Sequence, residues 1–533
     1  MSAGATTAPG GDGAPGAAPV APAVTQGHPP LRGLELALAT WALSLGSFMN
    51  FLDLSIANVS VPSIAGALSV SPTQGTWVIT SYAMAEAIML PLTGWLGNRF
   101  GQVRMFTTST LLFTLASLLC GLSVSFPMLL SARILQGMVG AAMVPLAQSL
   151  LINCYAPHQR GLALGLWSMT AILAPIAGPL AGGWITENLS WHWIFLVNLP
   201  VGIFVAMLVR SLLRDRETPT RRQPVDWTGL ALLTVGVGSL QFLLDRGNEL
   251  DWFESDLIVA LACIAAVGLA AFVIWELTDE HPIVDLRLFG RRNFAIGSIC
   301  VFIGMVSFFG TLVTLPLWLQ TYQGYSAQWA GRAVATGGVF AVIMGPIVGA
   351  NLHRIDARAV SSFGFIAFAV AAMWSAHFTP DVDFWTVAQT RLYIGIGISC
   401  FFLPLTTITL AGLPANQYAA ASGLSNFIRI IGSSLGTAVV VGAWDRHGIE
   451  QHAQMVEHVE PYAHEATSYL AQLQALGLSP QGALAQVDRI ITSQSYLNAT
   501  NWVLWSAGLL MLCLLPLVWL AKPPFVARVG DAH

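Results

Sequence analysis

The chain has 533 residues, of which 55% are hydrophobic and only 9% are charged. Because soluble proteins carry about 25% charged residues, this composition excludes an ordinary soluble domain. The net charge is −4, and the sequence lacks a basic patch with interleaved aromatic residues, which argues against nucleic-acid binding. The apolar segments are long and continuous, so they predict membrane-spanning helices rather than the alternating strands of a membrane barrel.

The first segment, residues 1–33, is rich in Ala, Pro, Gly and Thr. It has almost no large apolar residue to offset the entropy of ordering, so it is predicted to be a disordered tail. It also lacks the basic start and apolar core of a cleaved signal peptide. The first span is therefore expected to direct membrane insertion itself.

Fourteen apolar segments follow, and crossing the hydrocarbon core as a helix takes roughly 20 residues. The predicted spans are 37–59, 76–97, 104–124, 127–152, 161–184, 192–212, 227–244, 256–276, 294–319, 330–351, 360–378, 384–411, 418–444 and 500–521. An even number of spans places both termini on one side. Sixteen of the 23 Lys and Arg residues fall on that side, which predicts cytoplasmic termini.

An internal repeat appears when the sequence is shifted by 258 residues. Arg133 then falls on Arg391, and three glycines fall on glycines without a gap: Gly137 on Gly395, Gly165 on Gly423 and Gly178 on Gly436. Two like halves with a site between them are typical of transporters. We therefore expect an N-terminal six-helix half at 34–212, a linker with two inserted helices at 213–280, a C-terminal six-helix half at 281–521 and a cytoplasmic tail at 522–533.

Residues 445–499 are too polar to span the membrane and are predicted to form a small helical cap on the outer face. Ser479 followed by Pro480 indicates a helix start there. The six cysteines lie in or near apolar spans and form no CxxC pair, so neither a disulfide framework, a metal site nor a cofactor is expected.

Charges inside the spans are candidate functional groups, because burying a charge in hydrocarbon costs at least about 2.5 kcal/mol. Asp53 in the first span and Arg133 in the fourth lie at similar depths, and Glu86 lies near the middle of the second. These three are predicted to couple protons to transport. The alternatives are a static ion pair for Asp53 and Arg133, and a neutral hydrogen-bonded Glu86.

Four further residues are candidates to line a substrate cavity with Glu86: Trp77, Tyr82, Asn58 and Arg391. Two of them have open alternatives. Trp77 lies near the outer interface, where aromatic side chains anchor helices. Arg391 could instead be a structural hydrogen-bonding centre, and the same holds for Arg429.

Two small-residue motifs are predicted to govern gating and helix packing. The first occupies 94–104 after the second span, with Gly94, Arg99, Gly101 and Arg104; its glycines permit a tight turn. The second closes the fifth span, where small residues allow close helix approach and Pro bends a helix; its members are Gly178, Pro179, Gly182 and Gly183.

Together these stretches resemble the major facilitator superfamily. Residues 94–104 resemble its loop motif, 133–137 its fourth-span motif and 178–183 its fifth-span motif associated with antiporters. Residues 52–62, 74–81 and 191–202 resemble the fourteen-span drug:proton antiporters. The loop motif usually has an acidic residue where this chain has Asn98, and the second half's copy near 349–358 is degenerate.

The resemblance implies an all-α fold of two pseudo-symmetric six-helix halves plus two inserted helices. It also implies proton-driven export of hydrophobic or amphipathic toxic compounds from a bacterial inner membrane. The partners it implies are a periplasmic adaptor and an outer-membrane channel. A major facilitator carrying one specific metabolite is the alternative. An enzyme is not expected, because the in-span polar residues form no nucleophile, base or metal cluster.

Overall fold

The structure is a computed structural model that describes Gly4 and residues 29–70, 72–156, 159–220, 224–247, 250–279, 282–414, 417–457 and 464–525. Most of the predicted tails, 1–33 and 522–533, lies outside these ranges. The side chains of Asn58 and Pro179 also lie outside the described part.

The described residues fold into twenty α-helices joined by short turns. They are α1 (Gly33–Ala67), α2 (Pro72–Gly75), α3 (Trp77–Met89), α4 (Thr93–Phe100), α5 (Gln102–Gly121), α6 (Phe126–Gly140), α7 (Met143–Cys154), α8 (Arg160–Asn188), α9 (Trp193–Leu196), α10 (Asn198–Leu213), α11 (Trp227–Arg246), α12 (Asp256–Thr278), α13 (Arg292–Thr321), α14 (Ala327–Ala335), α15 (Gly337–Asn351), α16 (Ala357–Ser375), α17 (Phe384–Leu410), α18 (Tyr418–Glu457), α19 (His464–Ala475) and α20 (Pro480–Val518).

Eleven helical segments among the described residues are long and apolar enough to cross a membrane. The other three predicted spans coincide with α1, with the α3–α4 segment and with α8. The all-helical, multi-pass fold is therefore confirmed, while the count of fourteen spans stays a prediction.

Prolines interrupt two of the predicted spans. A 3₁₀ turn at Leu90–Leu92, with Pro91 inside it, separates α3 from α4. The fourth predicted span is interrupted at residues 141–142, between the end of α6 and the start of α7. Pro145 follows three residues after this interruption. Pro145 has no backbone N–H to donate, and its ring crowds the carbonyl four residues earlier. A regular helix therefore cannot continue through this point.

Two helices run well beyond their predicted limits at the outer loop. Helix α18 continues past residue 444 to Glu457, and α20 begins at Pro480 rather than near 500. Side chains join the two extensions, because the Tyr496 hydroxyl donates to Asp445 at 2.7 Å. The predicted helix start at Ser479 is confirmed, since its hydroxyl accepts the N–H of Gly482 at 3.1 Å.

Equivalent glycines of the repeat occupy equivalent packing positions. A Cβ on Gly178 of α8 would lie 2.9 Å from the Ser55 carbonyl carbon in α1, and one on Gly436 of α18 would lie 2.9 Å from that of Val306 in α13. Each glycine thus lets the fifth helix of a half touch the first helix of the same half. The repeat in the sequence is a repeat in the packing.

The halves also contact each other through repeat positions. A Cβ on Gly165 of α8 would lie 2.9 Å from the Gly345 carbonyl oxygen in α15, and one on Gly423 of α18 would lie 2.8 Å from that of Leu90. The fifth helix of each half therefore packs on the second helix of the other. Arg160 and Tyr418, themselves one repeat apart, form a hydrogen bond of 3.1 Å across the same interface.

The inserted helices α11 and α12 pack on each other and lie against the interface between the halves. Leu269 packs on Gly236 where the two helices meet. Helix α11 reaches the C-terminal half through Gln241, which donates to the Ser434 hydroxyl in α18 at 2.8 Å. It reaches α3 through Gly238, whose Cβ position lies 3.9 Å from Ile88.

Candidate functional site

The predicted pair of Asp53 and Arg133 is in direct contact. Asp53 lies in α1 and Arg133 in α6, and the Arg133 Nη1 donates to the Asp53 Oδ2. Neither side chain has exposed surface. A buried ion pair repays the cost of desolvation only when its remaining polar atoms are also satisfied. The surrounding contacts decide how this pair is held.

Two amide side chains hold the other oxygen of the carboxylate. Asp53 Oδ1 accepts from Gln136 Nε2 at 2.9 Å and from Asn198 Nδ2 at 2.8 Å. Both amides also donate to the Ser117 hydroxyl, at 2.7 and 3.0 Å. The carboxylate of α1 is therefore clamped by α5, α6 and α10 together.

Arg133 has contacts besides the carboxylate. Its Nε donates to the Val78 carbonyl at 2.9 Å, and its Nη1 also donates to Gln136 Oε1 at 2.8 Å. Its guanidinium carbon lies 4.2 Å from the centroid of the Tyr82 ring, within the range of a cation–π interaction. Arg133 Nη2 is buried with no hydrogen-bond partner among the described residues.

Only some of the contacts of Arg133 depend on the charge of Asp53. A proton on Asp53 would cancel its charge, and Arg133 would keep Val78, Gln136 and the Tyr82 ring as partners. The cation would remain stabilised while its hold on α1 weakened.

Glu86 belongs to a second polar group that adjoins the first. Tyr82, one turn earlier on α3, receives a hydrogen bond of 2.9 Å from Asn50 of α1, and Asn50 also interacts with Glu86. Tyr82 thus lies between Arg133 on its ring face and Asn50 at its hydroxyl. Glu86 and the ion pair are separated by one shared aromatic side chain.

The other predicted cavity residues do not join this group. Trp77 lies 6.4 Å from the Phe126 ring and 5.7 Å from the guanidinium of Arg246, and all three residues lie at ends of their helices. Arg391 is 4% exposed and donates to the Ser375 hydroxyl at 3.2 Å. Tyr82, by contrast, is fully buried within the polar group between Arg133 and Asn50.

The loop motif at 94–104 joins the two halves. Gly94 lies directly against Ala420 of α18, where a side chain would not fit. Gly101 has φ +90°, a left-handed conformation that favours glycine. The Arg99 guanidinium lies 5.1 Å from the Trp95 ring. The motif therefore allows α18 to approach closely at Gly94 and allows a tight turn at Gly101.

Sequence reasoning missed the partner of this motif, Glu217. Its carboxylate accepts the backbone N–H groups of Val103 at 3.0 Å and Arg104 at 2.9 Å, in the first turn of α5. The Arg104 side chain lies 3.9 Å from the same carboxylate. A carboxylate is favoured at a helix N-terminus. No motif in the sequence connected Glu217 to the start of α5, which precedes it by more than 110 residues.

The glycines of the fifth span lie beside the ion pair. Gly178 packs on Ser55, and a Cβ on Gly182 would lie 2.7 Å from the Ile56 carbonyl oxygen. These contacts come two and three residues after Asp53 on α1. Gly183 is half-buried on the same helix. The predicted antiporter motif thus sets the position of the α1 segment that carries the carboxylate.

The described residues contain no group of three or more His, Cys, Asp or Glu side chains that could hold a metal ion. The six cysteines are free thiols. The chemistry of the site therefore rests on the carboxylates, arginines and amides named above.

A family model described as Major Facilitator Superfamily matches residues 43–437. The chain belongs to this superfamily, and it is a membrane transporter rather than an enzyme. Two solved structures share its fold. Human organic anion transporter MFSD10 covers 91% of this chain and 100% of its own, with a TM-score of 0.58 and 12% identity. The proton:xylose symporter XylE covers 91% and 95%, with a TM-score of 0.56 and 13% identity.

Closer relatives exist in sequence. The chain is 47% identical to the multidrug export protein EmrB of Escherichia coli K12 over 95% of this chain and 99% of EmrB. It is 44% identical to the fatty acid resistance protein FarB of Neisseria gonorrhoeae over 94% of this chain and 99% of FarB. These similarities confirm the resemblance that the sequence motifs indicated.

Proposed function

We propose that this chain is a proton-coupled antiporter that exports hydrophobic or amphipathic toxic compounds by alternating access. The observation that carries the proposal is the fully buried pair of Asp53 and Arg133. A carboxylate without exposed surface, held by one cation and two amides, can bind and release a proton while α1 changes its attachment. Similarity to EmrB and FarB supports the export of several toxic compounds.

Coupling is proposed to run through the motion of α1 against the rest of its half. Proton binding at Asp53 weakens its bond to Arg133, and the glycine contacts of α8 transmit the movement of α1. The two halves then move against each other, and contacts between them such as Gly161 against Leu352 open and close. Glu86 is proposed to face substrate and to carry a proton in part of the cycle.

The chain is further proposed to lie in a bacterial inner membrane with both termini in the cytoplasm. It would act with a periplasmic adaptor of the EmrA type and an outer-membrane channel. The adaptor is proposed to dock on the cap formed by 445–499. Exposed apolar side chains there support this, with Leu476 exposed at 79% and Leu484 at 58%. Unchanged adaptor crosslinking after deletion of this cap would defeat the docking site.

The experiment that tests the function is accumulation of a lipophilic dye in inverted vesicles under an imposed pH gradient. Accumulation that needs the gradient and ceases when the gradient is collapsed supports proton-coupled export. Accumulation without a gradient would make the protein a facilitator. Transport of one polar metabolite, with no response to a panel of lipophilic compounds, would favour the metabolite carrier.

A further inference from the structure

Arg429 crosses the interface between the two halves. It lies on α18 of the C-terminal half, where its Nε donates to Asn426 Oδ1 at 3.2 Å. Its guanidinium carbon lies 5.1 Å from the centroid of the Phe51 ring, which belongs to α1 of the N-terminal half. Both Arg429 and Phe51 are half-buried although they lie deep within their helices. They therefore border the space between the halves.

The same place contains the carboxylate of Glu86. Phe51 follows Asn50, and Asn50 joins Tyr82 and Glu86 on α3. The charge of Arg429 acts on the Glu86 carboxyl group across the interface. Glu86 in turn is the charge that acts on Arg429. Glu86 of one half and Arg429 of the other therefore lie near each other at the interface between the halves.

The direct hydrogen bonds of the two groups go elsewhere. Arg429 is tied to Asn426, whose amide donates to Gln148 Oε1 of α7 at 3.0 Å. Glu86 is tied to Asn50. Each charge is positioned by its own amide partner, so the attraction between them acts through space.

A single carboxylate in a low-dielectric space would favour lipophilic cations. A nearby fixed cation cancels that preference, because an incoming cation is repelled as well as attracted. Arg429 has no other carboxylate among its described contacts and is positioned to do this for Glu86. The charge preference of the site then depends on both halves rather than on Glu86 alone.

We propose that Arg429 is a specificity-determining residue that neutralises Glu86 across the interface and so excludes lipophilic cations from the substrate site. The inference rests on the proposed function for the identity of that site. Removing Arg429 exposes the charge of Glu86 and favours cations. Removing Glu86 exposes Arg429 and favours anions.

The test uses two ions of matched shape and opposite charge, tetraphenylphosphonium and tetraphenylborate. Their binding to the full-length protein in nanodiscs is measured by equilibrium dialysis, with empty nanodiscs as background. We expect Arg429→Gln to raise the ratio of cation to anion affinity by about tenfold or more. Arg429→Lys, which keeps the charge, is expected to leave the ratio near that of the native protein.

Two further variants make the result specific. Glu86→Gln is expected to lower the ratio of cation to anion affinity about tenfold. This variant tests the proposal by itself if Arg429→Gln cannot be recovered in a folded state. The double variant is expected to return the ratio to the native value. A ratio unchanged by both single variants, a gain that persists in the double variant, or no binding of either ion by any variant would overturn the proposal.

This readout separates the inference from the proposed function. The ratio measures binding and needs no proton gradient. Gradient-independent dye transport with the expected charge ratios would refute antiport and leave the role of Arg429 standing. Gradient-driven export with unchanged ratios would support antiport and refute the role of Arg429.

Discussion

Asp53 on α1 and Arg133 on α6 form an ion pair in which neither side chain has exposed surface. The pair joins the first and fourth predicted spans. Two amides complete the carboxylate's hydrogen bonds, at 2.8 and 2.9 Å. The carboxylate therefore attaches α1 to both α6 and α10.

Asp53→Asn is expected to abolish gradient-driven export while the protein remains folded. Asn can still accept from Gln136 or Asn198, but it can neither carry the charge nor exchange the proton. Arg133 would lose its counter-ion, and breaking a buried pair costs about 3–5 kcal/mol, so the melting temperature should fall. The measurement is dye accumulation in inverted vesicles, with thermal melting of the purified protein.

Asp381→Asn is the matched control, because Asp381 is an exposed carboxylate at a loop. Export by Asp53→Asn at the native rate would defeat the assignment of Asp53. Loss of export in both variants would point to a general effect on the protein.

Cysteines at Gly161 and Leu352 are expected to crosslink the two halves. A Cβ on Gly161 would lie 3.3 Å from the Leu352 Cβ, close to the separation of about 3.5–4.5 Å found in disulfides. The six native cysteines must first be replaced. Oxidation should stop export, and reduction should restore it, because alternating access requires this contact to open.

Each single-cysteine protein controls for the substitutions themselves, since neither can form the bond. Export that continues at full rate in a quantitatively crosslinked protein would contradict motion of the halves at this contact.

Glu217→Gln is expected to lower the stability of the protein by about 1 kcal/mol. The carboxylate accepts two backbone N–H groups at the start of α5, and an amide replaces one acceptor oxygen with a donor. The Arg104 side chain is 72% exposed, so its ion pair with Glu217 contributes little by comparison. Thermal melting in detergent measures the change.

Glu254→Gln serves as the comparison, because Glu254 is exposed in the outer loop. Equal melting temperatures for the two variants would show that the carboxylate of Glu217 does not stabilise α5.

The sequence predicted the helices and the ion pair because both depend on local composition. Apolar length identifies a span, and a charge within it stands out at Asp53 and Arg133. The residues that hydrogen-bond around this ion pair were harder to predict. Gln136 lies three residues after Arg133 and so on the same helix face, but the approach of Asn198 and Ser117 depends on how three helices rotate.

Features that depend on the contact between the two halves could not be predicted from the pattern of residues in the sequence. Arg429 gave no sign in the sequence that it faces Phe51 and Glu86, because facing is set by packing. The contact of Glu217 with the first turn of α5 also gave no sign in the sequence, for the same reason. The repeat did predict two like halves, and the structure adds that Gly178 and Gly436 pack equivalently in them, since close helix approach requires the absence of a side chain.

The two repeat arginines are expected to differ in function. Arg133 has Asp53, whereas Arg391 donates to Ser375, and its Nε has no partner among the described residues. Ser375 is itself one repeat from Ser117, so the serine was kept in both halves. We expect Arg133→Met to abolish the dependence of export on the pH gradient and Arg391→Met to retain it. Initial rates of dye accumulation with and without the gradient measure this, and loss of dependence in Arg391→Met would show that the C-terminal half takes part in proton coupling.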